Sequence, residues 1–368
     1  MPRDVLNVRV PHVVLAGPNA LGKHLTMLYL HVSFVLSLIG TSVSSPVKRL
    51  EKRDLPAFVR QYAPVVYLDS TETYFPSSIA GQVSHTHPED GSGNNITGDP
   101  SPLNLNNLNS LNNFASSGTN VYLTSDEGIE ALPSWFQGVK PDFTGSTGST
   151  IASLIVTVSK PNNILDAFYF YFYAYNQGNW VLGLPSLEFG DHVGDWEHTM
   201  VRFVNGAPTA MWFSQHSSGE AFTYSAVQKY NQGDRPVVYV AKGTHANYAI
   251  SGTHDHTIPG LNTLAGPLED HTDAGVFWDP LLDSPYTYSY DNSTGVFTAY
   301  NGQDPTAYLD FAGRWGDNQL PDSTPGQIDV FGERKYVAGP TGPRDKDLGR
   351  SNVCPDGQSC SVSSLLLP

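Results

Sequence analysis

Short apolar runs recur along most of the chain, and their period is two rather than 3.6. "PVVYLDS" (64–70), "TIASLIVTVSK" (150–160), "DAFYFYFYAY" (166–175), "PTAMWFSQH" (208–216), "RPVVYVAKG" (235–243), "VFWDP" (276–280) and "YTYSYD" (286–291) are bounded by Pro, Gly and Asn clusters. Such runs predict strands. The fold class expected is all-β: an antiparallel β-sandwich with long loops and short helical segments. One helical segment is expected in "SPLNLNNLNSLNNF", where Leu105, Leu108 and Leu111 repeat every third residue. In "DAFYFYFYAY", strand parity sends Phe168, Phe170 and Phe172 to one side and Tyr169, Tyr171 and Tyr173 to the other. The phenylalanines then fill a core, while the tyrosines form a second surface whose hydroxyls need partners.

Charge narrows the function. The 368 residues include 35 acidic and 20 basic side chains, a formal net charge of −15. Such a balance argues against nucleic acid as a partner and against a polybasic membrane anchor. The basic residues are concentrated at the N terminus. An apolar stretch from Leu28 to Ile39, followed by Ser42-Val43-Ser44, reads as a signal peptide, being shorter than the ~20 residues a membrane span needs. Lys48-Arg49 and Lys52-Arg53 then read as dibasic processing sites, so that signal peptide and pro-segment together cover 27–53. Residues 1–26 read as an upstream extension; its "GPNALGKH" imitates a phosphate loop, but His24 stands where a magnesium-binding Ser or Thr belongs. Two sequons, at Asn95 and Asn292, fit a glycosylated luminal or secreted chain. Cys354 and Cys360 are the two cysteines, and a local disulfide between them is expected to stabilise a tail rather than a core.

The stretch "GDHVGDWEHTMVRF" (190–203) concentrates groups able to bind a metal. Asp195 and Glu197 share a strand face, about 7 Å apart at their Cα atoms. His192 has the wrong parity, and a bulge at Gly194 is expected to bring it to the same side. Two carboxylates and an imidazole suit a divalent cation with mixed ligation, Ca, Mg or Mn. Asp191 and His245, the latter set among small residues in "GTHANY", are further candidate ligands. A polar strand edge with solvated carboxylates would carry the same letters. No nucleophile elbow, C-x-x-C or H-E-x-x-H motif is present.

"YAPVVYL", "VYLTSDEGIEALPSWFQGVKPD", "GDHVGDWEHTMVRF", "AKGTHANY", "GRWGD" and "GPTGPRDKDLGRSNVCP" occur in an order that resembles the Vps62 family of fungal proteins. The resemblance implies a role in vacuolar protein sorting within the secretory pathway, with the vacuole or the exterior as destination. More locally, "HVGDWE" is similar to the H-R-H-D-W-E heart of NPP1-like necrosis-inducing proteins, secreted β-sandwich cytolysins. That resemblance implies a cation held by His192, Asp195 and Glu197, and a membrane glycolipid or glycan as ligand; Gly194 replaces that family's middle histidine. The domain plan expected is a Vps62-like β-sandwich over 54–340 and a disulfide-closed tail over 341–368. A metal-dependent hydrolase or tailoring enzyme of a small-molecule pathway, and a lipid- or glycan-binding cytolysin-like protein, stand as alternatives to a sorting component.

Overall fold

"DAFYFYFYAY" forms the centre of the molecule. Its strand, Ile164–Asn176, is buried along nearly its whole length, so both of its faces must be covered. The computed structural model describes residues 54–366, apart from 182–183, 256–268, 331 and 359. The extension, signal and dibasic features expected within 1–53 lie outside the described residues.

Twelve strands build the two main sheets: β1 (Val65–Leu68), β2 (Ser153–Lys160), β3 (Ile164–Asn176), β4 (His192–Val204), β5 (Ala207–Gln215), β6 (Ser218–Thr223), β7 (Val237–Val240), β8 (Asn247–Tyr248), β9 (Val276–Trp278), β10 (Tyr286–Asp291), β11 (Val296–Ala299) and β12 (Val362–Ser363). The larger sheet runs β11-β10-β2-β3-β4-β5-β6-β12 and the smaller runs β8-β7-β1-β9. The chain is all-β, with two sheets face to face. Most pairings are antiparallel, but β1–β7, β2–β10 and β6–β12 are parallel. These pairs join strands distant in sequence, where no hairpin turn dictates direction.

The phenylalanine face of β3 packs with Trp196, Met200 and Trp212 under a cover of loops and short helices that contribute Ile79, Leu108, Tyr308 and Trp315. Leu105, Leu108 and Leu111 are buried there, and Leu108–Asn113 is a 3₁₀ helix, whose three-residue turn matches their spacing. The tyrosine face is a second core rather than a surface: Tyr169, Tyr171 and Tyr173 pack against Val66, Leu68, Val238 and Trp278 of the smaller sheet. Tyr169 donates to Val59 O at 2.7 Å, and Tyr171 meets Thr199 Oγ1 at 3.2 Å. Burial of each large side chain contributes roughly 2 kcal/mol.

The C-terminal segment departs from expectation. The disulfide Cys354–Cys360 is formed. It does not close a free tail, however: Leu348, Val353 and Cys354 belong to the phenylalanine-side core, and β12 extends the larger sheet. The described residues all belong to one compact unit. The cause is local. Arg202 pairs with Asp166 and also donates to Ser351 O and Asn352 O, fastening the segment to the centre of the sheet.

Candidate functional site

The two neighbours of β4 treat it differently. On one side its ladder to β3 keeps a single register from Ile164–Val204 to Asn176–His192. On the other, β5 pairs only from Thr199 onward, with a register shift between Arg202 and Phe203. Ahead of Thr199 the backbone N–H of His198 donates to the Ser214 side chain instead, at 3.1 Å. The first half of β4 therefore has an open edge, and a cavity of about 980 Å³ lies against it.

Gly194 adopts φ +68°, a left-handed conformation that glycine alone adopts without strain. A Cβ there would stand 2.1 Å from the carbonyl oxygen of Trp315, in the "GRWGD" segment that packs beside β4. The register to β3 is unbroken, so no residue is inserted at this point. Gly194 acts by its backbone conformation, not by an expected bulge. His192, Asp195 and Glu197 all line the cavity.

Their partners set what each can do. His192 Nδ1 donates to Gly194 O at 2.8 Å, which leaves Nε2 as the lone-pair nitrogen. Burial lowers its pKa, so the ring is neutral at pH 7. Glu197 accepts from Ser214 Oγ and, at 3.2 Å, from Asn247 Nδ2, both through Oε2. Burial, then the charge of Asp195, raises its pKa well above the usual range. Asp195 is only 4% exposed and accepts from His245 Nδ1 at 2.9 Å. His245 donates its other nitrogen to Tyr74 O at 3.0 Å and stacks on Tyr173 with centroids 3.7 Å apart. Both nitrogens thus serve acceptors, and neither is left for a cation. Burial works against the charge on His245, but the Asp195 hydrogen bond and the field of Glu72 overcome it and raise its pKa. Asp191 lies elsewhere. It accepts from Gly178 N at 2.8 Å, stands 3.8 Å from Lys335, and has its pKa raised to about 6 by burial and then by Glu188.

Among the described residues, no three His, Cys, Asp or Glu side chains form a ready-made metal cluster. The donor types at His192, Asp195 and Glu197 do suit a hard divalent cation, since one oxygen of each carboxylate and Nε2 have no protein hydrogen bond among the described residues.

The cavity roof rests on a residue that the motif does not contain. Asp270, fully buried on the strand Glu269–Thr272, accepts from His216 Nε2 (2.7 Å), Tyr248 OH (2.7 Å), Thr244 Oγ1 (2.8 Å) and Asn179 Nδ2 (2.9 Å). Burial alone would raise its pKa; His216 and the other donors hold it well below the usual carboxylate range. Tyr248 in turn stacks on His254, centroids 3.7 Å apart. Tyr248 and Asn247 follow directly after the "GTHA" that drew notice to His245, whereas nothing local distinguishes Ser214 or Asp270.

Asp317, next to Trp315 in the segment that closes over Gly194, is 5% exposed and accepts from Ser125 N at 2.6 Å. Burial, assisted by Glu130 and Glu89, raises its pKa from 3.8 to about 7. Between those pH values the folded chain keeps a proton that the unfolded chain releases, so stability falls as pH rises and levels off above 7. Asp317→Asn keeps the acceptor for Ser125 and cannot ionise. Urea unfolding should show little gain over wild type at pH 4 and a gain of about 4 kcal/mol at pH 8. Equal midpoints at pH 8 would refute this.

A family description, vacuolar protein sorting-associated protein 62 (Vps62), matches residues 161–318. Vacuolar protein sorting-associated protein 62 of Saccharomyces cerevisiae is 34% identical over 343 residues, which cover 85% of this chain and 71% of that protein. A second protein of the same organism, TDA6, is 36% identical over 329 residues, covering 82% of this chain and 68% of its own length. Partial likeness extends to two solved structures. Necrosis and ethylene inducing protein 2, from the causal agent of cocoa's witches' broom disease, is 10% identical, covers 70% of this chain and 80% of that one, and has a TM-score of 0.29. NLPPya in complex with glucosamine is 14% identical, covers 66% and 78%, and has a TM-score of 0.26. Superposition at that level establishes no common fold. Identity of 34–36% along more than four-fifths of the chain does establish kinship: this protein belongs to the Vps62 family.

Proposed function

We propose that the chain serves protein sorting to the vacuole, from within the secretory pathway, with the cavity over β4 as its ligand-binding centre. The observation that carries this reading is the identity to vacuolar protein sorting-associated protein 62 over 85% of the chain. Asn95, bridged to Glu89, and Asn292, in a turn, are both exposed, as acceptors of luminal glycosylation would be. Deleting the gene should divert a vacuolar hydrolase, in its precursor form, to the medium. Normal delivery and processing in the deletion strain would overturn the reading.

The same cavity supports a finer reading: a divalent cation held by His192, Asp195 and Glu197. Burying two neighbouring carboxylates raises the pKa of one of them, and a cation relieves that repulsion by displacing the proton. When bound, it would supply positive charge to orient an oxygen-bearing ligand. A cation that binds only the folded chain stabilises it by roughly 2.7 kcal/mol at a hundredfold excess over its dissociation constant. Adding Ca, Mg or Mn should therefore raise the melting temperature and chelation should reverse the rise, while Glu197→Gln should show neither response. A wild-type melting temperature indifferent to all three ions and to chelation would exclude the cation.

A further inference from the structure

A second pocket, of about 160 Å³, lies between the turn at Ser217 and Ser218 and the segment Asp345–Arg350. Trp196, His198, Trp212 and Arg350 all line it, and each carries a buried nitrogen with no partner among the described residues: indole Nε1 of both tryptophans, His198 Nδ1 and Arg350 Nη1.

All four are donors. Arg350 Nη2 points at His198 Nε2, 3.4 Å away, so that nitrogen is the acceptor and the ring proton is on Nδ1. Arg350 is 1% exposed. Its remaining bonds go to carbonyls, Nε to Asp347 O at 2.9 Å and Nη2 to Lys346 O at 2.6 Å, and its guanidinium carbon lies 4.9 Å from the ring centre of Phe168. Asp347, Asp166 and Asp356 are near enough to feel its charge, but none forms an ion pair with it among the described residues. Asp166 is engaged by Lys160 and Arg202, while Asp347 and Asp356 bond to neighbouring backbone. Lys346 adds a second cation to the lining. The acids there are occupied or outward: Glu197 bonds to Ser214 and Asn247, and Asp345 is exposed.

Unmet buried donors are costly, and a buried guanidinium without a carboxylate more so. Water could accept from these groups but would bring donors of its own. An occupant that only accepts, and carries negative charge, suits such a lining better than water does. We propose that this pocket binds a small inorganic anion, of halide to phosphate size. It shares Trp196, Glu197 and Lys346 with the lining of the main cavity, but rests on the unmet donors and not on a cation there.

The test is thermal unfolding of the full chain at constant ionic strength, with chloride, sulfate or phosphate replacing gluconate. A saturable rise in melting temperature is expected with at least one of the three. Lys346→Met and Trp212→Phe should each weaken the half-saturating concentration about tenfold. Each removes one charge or donor from the lining and keeps most of the side chain's bulk, so both should fold even if Arg350→Met does not. Identical melting temperatures in all four salts would overturn the proposal, as would midpoints unaltered in both variants.

Discussion

Gly194→Ala is expected to destabilise the chain by about 3 kcal/mol or more, among the largest effects of any single methyl group added to it. Two costs combine. The left-handed backbone at φ +68° strains any residue with a Cβ, by about 1 kcal/mol. The new methyl would also stand 2.1 Å from Trp315 O, a backbone atom already bonded to Gln82 Nε2 at 2.7 Å and unable to turn aside. Overpacking of that kind typically costs another 1–3 kcal/mol. Since Gly194 also sets where His192 points relative to Asp195, the cavity should be lost before the fold. Chemical denaturation and a ligand or cation titration on the same sample would separate the two. A variant within 1 kcal/mol of wild type would show that the Trp315 contact is not rigid.

Asp195→Asn is expected to cost about 3 kcal/mol at pH 5.5 and markedly less at pH 9. His245 donates to Asp195 and to Tyr74 O, a geometry that requires both ring protons, so the buried pair is an imidazolium and a carboxylate. Removing one charge strands the other in the core, at a cost of about 3–5 kcal/mol for a fully buried pair. The pH dependence follows from the raised pKa of His245 in the folded state. Its contribution to stability is complete below the unfolded value of 6.5 and disappears as pH rises through the folded value. Urea titrations of both proteins at the two pH values would check this. An equal loss at both would mean that His245 is neutral. Asp195 therefore has a structural role that a cation-ligand role alone would not give it, and its substitution cannot serve as a clean probe of binding.

Much of this was legible along the chain. Strand parity alone placed Phe168, Phe170 and Phe172 opposite Tyr169, Tyr171 and Tyr173, and Asp195 beside Glu197. Cys354 and Cys360, the two cysteines of the sequence, pair as expected. What failed to show depends on contacts between distant segments. Asp195 and His245 are 50 residues apart, and no local pattern tells that their side chains meet and so remove His245 from the ligands. Asp191 neighbours the motif in sequence, yet β4 begins one residue later and sends it toward Gly178 and Lys335. Asp270 reads as one more surface acid in "LEDHTD" until four donors close around it. Arg350 is buried against Phe168, and Leu348 and Val353 join the same core, yet nothing in their local sequence tells that the C-terminal segment packs there.

The cavity at Glu197 is proposed above as what the protein uses in vacuolar sorting. Glu197→Gln probes this role, because glutamine keeps an acceptor for Ser214 and Asn247 while losing the acid. The measurement is the fraction of vacuolar hydrolase missorted to the medium by a deletion strain carrying either wild type or this variant at matched abundance and melting temperature. Wild type should restore delivery and Glu197→Gln should not. Full restoration by Glu197→Gln would contradict it.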